Sequence, residues 1–196
     1  MERNKTLRNN AGFTLTELLV VIFIITLLGA ITFANYREGG RQMALQRSAY
    51  KLAQDIRRAQ EMAIAAKECA PCGNTIPPRY GLYIAEPSSV SSSIFADIDN
   101  NGFYFSSDKT VETTIFESGV SYLDVSGNCA NPMPNPSGLR RIHITFIPPD
   151  PITVLNVGWS PNTTTCSEIT ITLRFGGAGG PTKSVKINNA GMIEIQ

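Results

Sequence analysis

Residues 11–36, AGFTLTELLVVIFIITLLGAITFANY, decide the fold. From 18 to 36, nineteen consecutive residues carry no charge. As an α-helix rising about 1.5 Å per residue they span about 28 Å, close to the roughly 30 Å of a bilayer's hydrocarbon layer. A backbone in hydrocarbon must satisfy its own hydrogen bonds, so a transmembrane helix is expected. Ahead of it, Arg3, Lys5 and Arg8 stand against only Glu2. Positive residues before an apolar run stay in the cytoplasm and send the chain beyond the run across the membrane.

Neither a plain anchor nor a secretory signal peptide accounts for Glu17. A carboxylate at the edge of an apolar helix is costly without a partner and marks a functional position by default. With Gly12, Phe13 and the apolar run, it resembles the N-terminal signature of type IV pilins and type II secretion pseudopilins. That resemblance implies a basic leader over 1–12, cleavage by a prepilin peptidase between Gly12 and Phe13, and N-methylation of Phe13. Glycine before the cut offers an unhindered backbone. Cleavage frees a cationic amine on Phe13, and Glu17 supplies an anion that can pair with the amine of a neighbouring subunit. Losing one member of such a buried pair costs about 3–5 kcal/mol. The implied partners are the peptidase, other pilin or pseudopilin subunits, an inner-membrane assembly platform and membrane lipid. The implied location is the inner membrane, single-pass with a cytoplasmic N-terminus, and then a periplasmic or extracellular filament. Many major pilins carry a proline partway along this helix, and this chain has none there. It has Gly39 and Gly40, each costing roughly 1 kcal/mol of helix propensity relative to alanine. The pair is expected either to kink or melt the helix, or to end one helix and begin another.

Beyond the glycines, 42–67 reads as a helix, with Leu45, Ala49, Leu52, Ile56, Ala59 and Ala63 in one apolar stripe. Arg47, Lys51, Asp55, Arg57, Arg58 and Glu61 fall on other faces, toward water or neighbours. After residue 69 the composition turns β-rich. Strands are expected over 80–85, 94–98, 113–117, 141–147, 152–157, 168–175, 184–188 and 192–195. The arrangement is α+β, pilin-like, with a long N-terminal helix packed on an antiparallel sheet. Its expected parts are a leader (1–12), an assembly helix (13–36), an amphipathic helix (37–68) and an exported β domain (69–196). The segments QDIRRAQEMAIAAK, YGLYI and SVKINNAGMIEI resemble the pseudopilin H and FimT-like minor pilin branch.

The whole chain has a net charge of +1, so no global charge favours nucleic acid. Cys69, Cys72, Cys129 and Cys166 all lie beyond the apolar run, on the oxidising side, where disulfides are expected. Four cysteines allow three pairings. Cys69-Ala-Pro-Cys72 alone is half of a zinc pattern, and no βαβ unit surrounds it as a redox motif requires.

The run Asp97-Ile-Asp99-Asn-Asn101-Gly102 matches the opening of a calcium loop, with the Phe103 carbonyl and Asp108 as further ligands. The alternative is a tight hairpin turn made by Asn101-Gly102. Ca2+ is the only cofactor these residues suggest. His143, the single histidine, lies opposite Ile142 and Ile144 in strand alternation and is expected at the surface. No catalytic constellation is legible. The reading is a structural subunit, minor pilin or pseudopilin. The alternative is a DNA-binding minor pilin using Arg140, Arg141, Arg174, Lys183 and Lys186, which are interspersed with Glu168 and Glu194.

Overall fold

The computed structural model describes residues 12–131, 140–148, 152–159 and 162–196. The basic leader residues lie outside these. The architecture is α+β: α1 (Leu15–Ile64), a 3-10 turn (Ala70–Cys72), then β1 (Arg79–Ile84), β2 (Ser91–Asp97), β3 (Lys109–Ile115), β4 (Val120–Cys129), β5 (Ile142–Ile147), β6 (Ile152–Trp159), β7 (Asn162–Phe175), β8 (Thr182–Asn188) and β9 (Ile193–Ile195). Helical structure continues through Gly39 and Gly40, so the pair does not separate two helices. By contacts the chain divides there into Met1–Gly40 and Arg41–Gln196.

In the second unit the apolar stripe of α1 packs as the sequence requires. Leu45, Ala49, Leu52, Ile56, Ala59 and Ala63 are all at most 2% exposed. Four buried alanines, counting Ala53, let the helix backbone lie close to the sheet. The helix stops at Ile64, three residues before the expected end. Ala66 takes φ +43, the Ala66 N–H donates to the Ala63 carbonyl, and the Lys67 N–H donates to that of Met62. This is a Schellman closure on alanine in place of glycine.

Asp55 is a correction to the expected solvent face. It is buried, accepting hydrogen bonds from Ser92 Oγ (2.8 Å) and Thr114 Oγ1 (3.0 Å), and so pins α1 to β2 and β3. Burial raises its carboxyl pKa above the ordinary value, partly offset by these two hydroxyls.

The sheet is antiparallel in the order β3-β2-β1-β5-β6-β7-β8-β9, with β4 also on β7. β7 organises it. Its start pairs with β6, through Cys166↔Leu155, and its end with β8, from Glu168↔Asn188 to Arg174↔Thr182. β4 lies along its other edge. β4 has no counterpart among the expected strands because VSYLDVSGNC has two register shifts and a polar, exposed second half. β7 begins at Asn162 rather than 168 because Thr163, Thr164 and Thr165 are β-formers that read as loop by polarity.

Both faces of the central strands are covered. Ile142, Ile144 and Phe146 join the helix-side core. His143 and Thr145, on the opposite face, are also 0% exposed. The expectation of a surface histidine is therefore corrected. The strand alternates as expected, but residues 98–108 fold over its second face. Gly81 makes room there, since a Cβ would stand 2.7 Å from the Ile144 carbonyl and from the Phe95 ring.

The disulfides are Cys69–Cys72, closing the 3-10 turn, and Cys129–Cys166, joining directly paired residues of β4 and β7. The second closes a separation of 37 residues and the first only 3. Loop-closure entropy then predicts a loss of about 4 kcal/mol for the Cys129→Ser/Cys166→Ser variant and about 2 kcal/mol for Cys69→Ser/Cys72→Ser. Urea denaturation of the two variants measures the difference, and equal losses would contradict the loop-closure account.

Candidate functional site

The first site is built on the start of α1. Thr14 precedes the helix, and its Oγ1 accepts the Glu17 N–H at 3.3 Å. Thr14-x-x-Glu17 is thus one half of a capping box, a local signal that reading Glu17 for its charge alone overlooks. The Glu17 carboxylate itself has no ion-pair partner among the described residues. The adjacent positive end of the helix dipole favours an anion at this position.

Gly12 and Phe13 precede the helix, with Phe13 82% exposed. From Leu15 to Thr32 the mean hydropathy is 2.4 and no residue is buried against the chain. Thirteen large apolar side chains between Phe13 and Ile31 are at least 45% exposed. Covering them is worth on the order of 20 kcal/mol. This surface therefore belongs against lipid or other helices.

Residues 7–33 match the family described as Prokaryotic N-terminal methylation motif. The chain thus carries a type IV pilin-like prepilin signal, which supports membership of the pilin and pseudopilin class. Such a signal implies processing by a prepilin peptidase and assembly with other pilin subunits, and with the apolar helix it fits membrane anchoring. No curated protein and no solved structure matches the chain.

The second site is the β2–β3 connection. The strands form a hairpin, but the connection runs through eleven residues, 98–108, so the tight Asn101-Gly102 turn is corrected to a longer folded loop. Asn100 (φ +61) and Gly102 (φ +81) give it its reversals. Asp97, Asp99 and Asp108 converge, with a carboxylate oxygen of each within 4.8 Å of the others.

All six oxygens accept hydrogen bonds. Asp97 takes the N–H groups of Asn101 and Gly102, Asp99 takes the Asn101 N–H and the Ser107 hydroxyl, and Asp108 takes the N–H groups of Ile98 and Phe105. The Asn101 side chain accepts the Phe103 N–H. Arg79 lies 3.9 Å from Asp97 and donates to Asn100 Oδ1. The loop is therefore shaped by its own donors and keeps a surplus of negative charge.

The loop delivers Tyr104 and Phe103 onto the sheet. Tyr104 N–H donates to His143 Nδ1 at 2.9 Å, which leaves the neutral ring's proton on Nε2. Tyr104 packs on Tyr83 (4.7 Å between ring centroids) and Phe95 (5.3 Å), and Phe103 on His143 (5.2 Å). Asn156 Nδ2 ties the Gly102 carbonyl to β6.

Of the basic residues considered for DNA, Arg140 is held by Asp124 at 2.6 Å and by the Val125 carbonyl. Lys186 is held by Glu168 at 3.0 Å. Arg141 lies beside the buried His143 and depresses its pKa.

Burial, then the Asp99 hydrogen bond and the Asp108 charge, push the Asp97 carboxyl up to about 6, against the Gly102 N–H and Arg79. Burial, then Arg141, push His143 down to about 4. The two act oppositely on stability. A carboxyl raised on folding contributes most at low pH, and the contribution disappears as pH rises through about 6. A histidine lowered on folding contributes above its unfolded value near 6.5 and loses it as pH falls toward 4. Between pH 4 and 6.5 the Asp97→Asn variant should gain stability as pH rises. His143→Gln should lose it, with the wild-type slope between the two. Parallel slopes in pH-dependent chemical denaturation would contradict this assignment.

Proposed function

We propose that the chain is a structural subunit, a minor pilin or pseudopilin, of a type IV pilus or type II secretion filament. The observation that carries this is the coincidence of the methylation motif over 7–33 with an unburied apolar helix and, near its start, a Glu17 without an ion-pair partner among the described residues. In this reading the precursor waits in the inner membrane with its N-terminus cytoplasmic. A prepilin peptidase cuts after Gly12 and methylates Phe13. An assembly platform then draws the apolar helix from lipid into a bundle of like helices.

Transfer from lipid to bundle exchanges one apolar surrounding for another, so close packing and polar pairing decide register more than hydrophobicity does. Glu17 and the Phe13 amine of a neighbour supply that polar pair. The exported unit is displayed outward, in a structural role. DNA capture is the weaker reading, since Arg140 and Lys186 are occupied by carboxylates.

Mass analysis of the chain purified from membranes should find Phe13 as the first residue, carrying one extra methyl group. An intact leader, or a cut elsewhere, would overturn the reading. Glu17→Val should still be cleaved, yet enter filaments about a hundredfold less well or worse, the equivalent of leaving one charge unpaired in the bundle. Normal incorporation of that variant would remove the assembly role.

A further inference from the structure

Two surface features of the exported unit are complementary and lie on opposite faces of the sheet. The first is an open groove of about 540 Å³ along the end of α1, lined by Arg57, Arg58, Glu61, Met62, Ala65 and Lys67. Arg58 is neutralised by Glu112 at 3.0 Å. Arg57 and Lys67 are exposed and form no ion pair among the described residues. Glu61 on the same wall offsets one of these charges, so the groove keeps a small positive surplus beside the exposed Ala65.

The second feature is the tip of the 98–108 loop. Ile98 is 41% exposed, and beside it stands the exposed Asp99. Three carboxylates converge there against the single guanidinium of Arg79. Since every carboxylate oxygen already accepts a hydrogen bond, the loop holds its shape without an ion. Its charge surplus remains reachable from outside at Asp99, where a long cationic side chain can approach.

The helix packs on the sheet face that carries Ile144 and anchors through Ser92 and Thr114. The loop packs on the face that carries His143. Groove and tip therefore cannot meet within one chain, only between chains. A contact between two unlike patches is heterologous and propagates into an open helical array when its rotation does not close a ring. That is the symmetry a filament needs.

We propose that the loop tip of one copy docks in the α1 groove of the next, Ile98 against Ala65, and Asp99 between Arg57 and Lys67. This contact rests on the filament reading, and the experiment separates the two. In membranes containing two tagged forms of the full chain, one with Arg57→Cys and the other with Asp99→Cys, mild oxidation should link unlike copies and leave like copies unlinked. Because Asp99 helps shape its own loop, Arg57→Glu with Lys67→Glu and, separately, Ile98→Ser serve as independent variants. Each should lower assembly at least tenfold in otherwise folded protein.

Absence of the 57–99 link, while copies carrying Leu18→Cys link through the apolar helix, overturns the contact and leaves the filament reading standing. Absence of both links with an uncut leader overturns both.

Discussion

An α-helix that is apolar on every side satisfies its own backbone but has no partner for its side chains. Between Leu15 and Thr32 no residue is buried against the rest of the chain, so this surface must be covered from outside. The carboxylate of Glu17, without an ion-pair partner among the described residues, sharpens that constraint. Lipid covers hydrocarbon well and a carboxylate badly, whereas a bundle of similar helices with free, cationic N-termini covers both. In the filament proposed above, the processing signal that frees such a terminus and the acid that would meet it answer one physical requirement.

The unit Arg41–Gln196 solves a different problem, the burial of two sheet faces by a chain with one helix to spare. α1 covers one face through its alanine-rich stripe. The second face of β1 and β5 is covered by the 98–108 loop, where Asp97 at its entry and Asp99 and Asp108 within it add to the aromatic packing of Phe103 and Tyr104. The aspartate oxygens collect the N–H groups that a reversing backbone leaves unpaired, and buried N–H groups without acceptors are costly. The aspartates are thus structural first, whatever counter-charge they meet. The cost of confining them shows in the raised Asp97 pKa. The same burial displaces the histidine of that layer in the opposite direction.

The features legible in the sequence were those with a long period or a strict spacing. The apolar run, the Gly12-Phe13-Glu17 spacing, the buried stripe from Leu45 to Ala63 and the general α+β order all arise from local pattern. The features that escaped were tertiary. His143 alternates as a surface residue should, and only a distant loop buries it. Asp55 reads as solvent-facing because nothing local announces Ser92 and Thr114 across the interface. β4 hides because its exposed half, SGNC, has the composition of a turn. The pairing of Cys129 with Cys166 depends on β4 lying along β7, and no spacing between cysteines encodes that. Thr14 is the exception, since the half capping box with Glu17 was present in the sequence and was masked by the more demanding role assigned to the acid.

The two glycines acquire a physical role from this division. Helical structure runs through Gly39 and Gly40, although each disfavours helix by about 1 kcal/mol relative to alanine. On the C-terminal side the helix is held by the sheet, with Leu45 and Ala49 buried within ten residues of Gly40. On the N-terminal side it is held by an apolar environment in which an unpaired backbone is prohibitive. Residues 39 and 40 have neither support, since no atom stands within 4 Å of where their Cβ atoms would lie. Local opening of a structure starts where tertiary contacts are fewest and intrinsic propensity is lowest, and both minima fall at this pair. A subunit leaving the bilayer for a filament exchanges the surroundings of its first unit while keeping the packing of its second. The place where the helix can unwind at least cost is the junction between the part that must change partners and the part that must not.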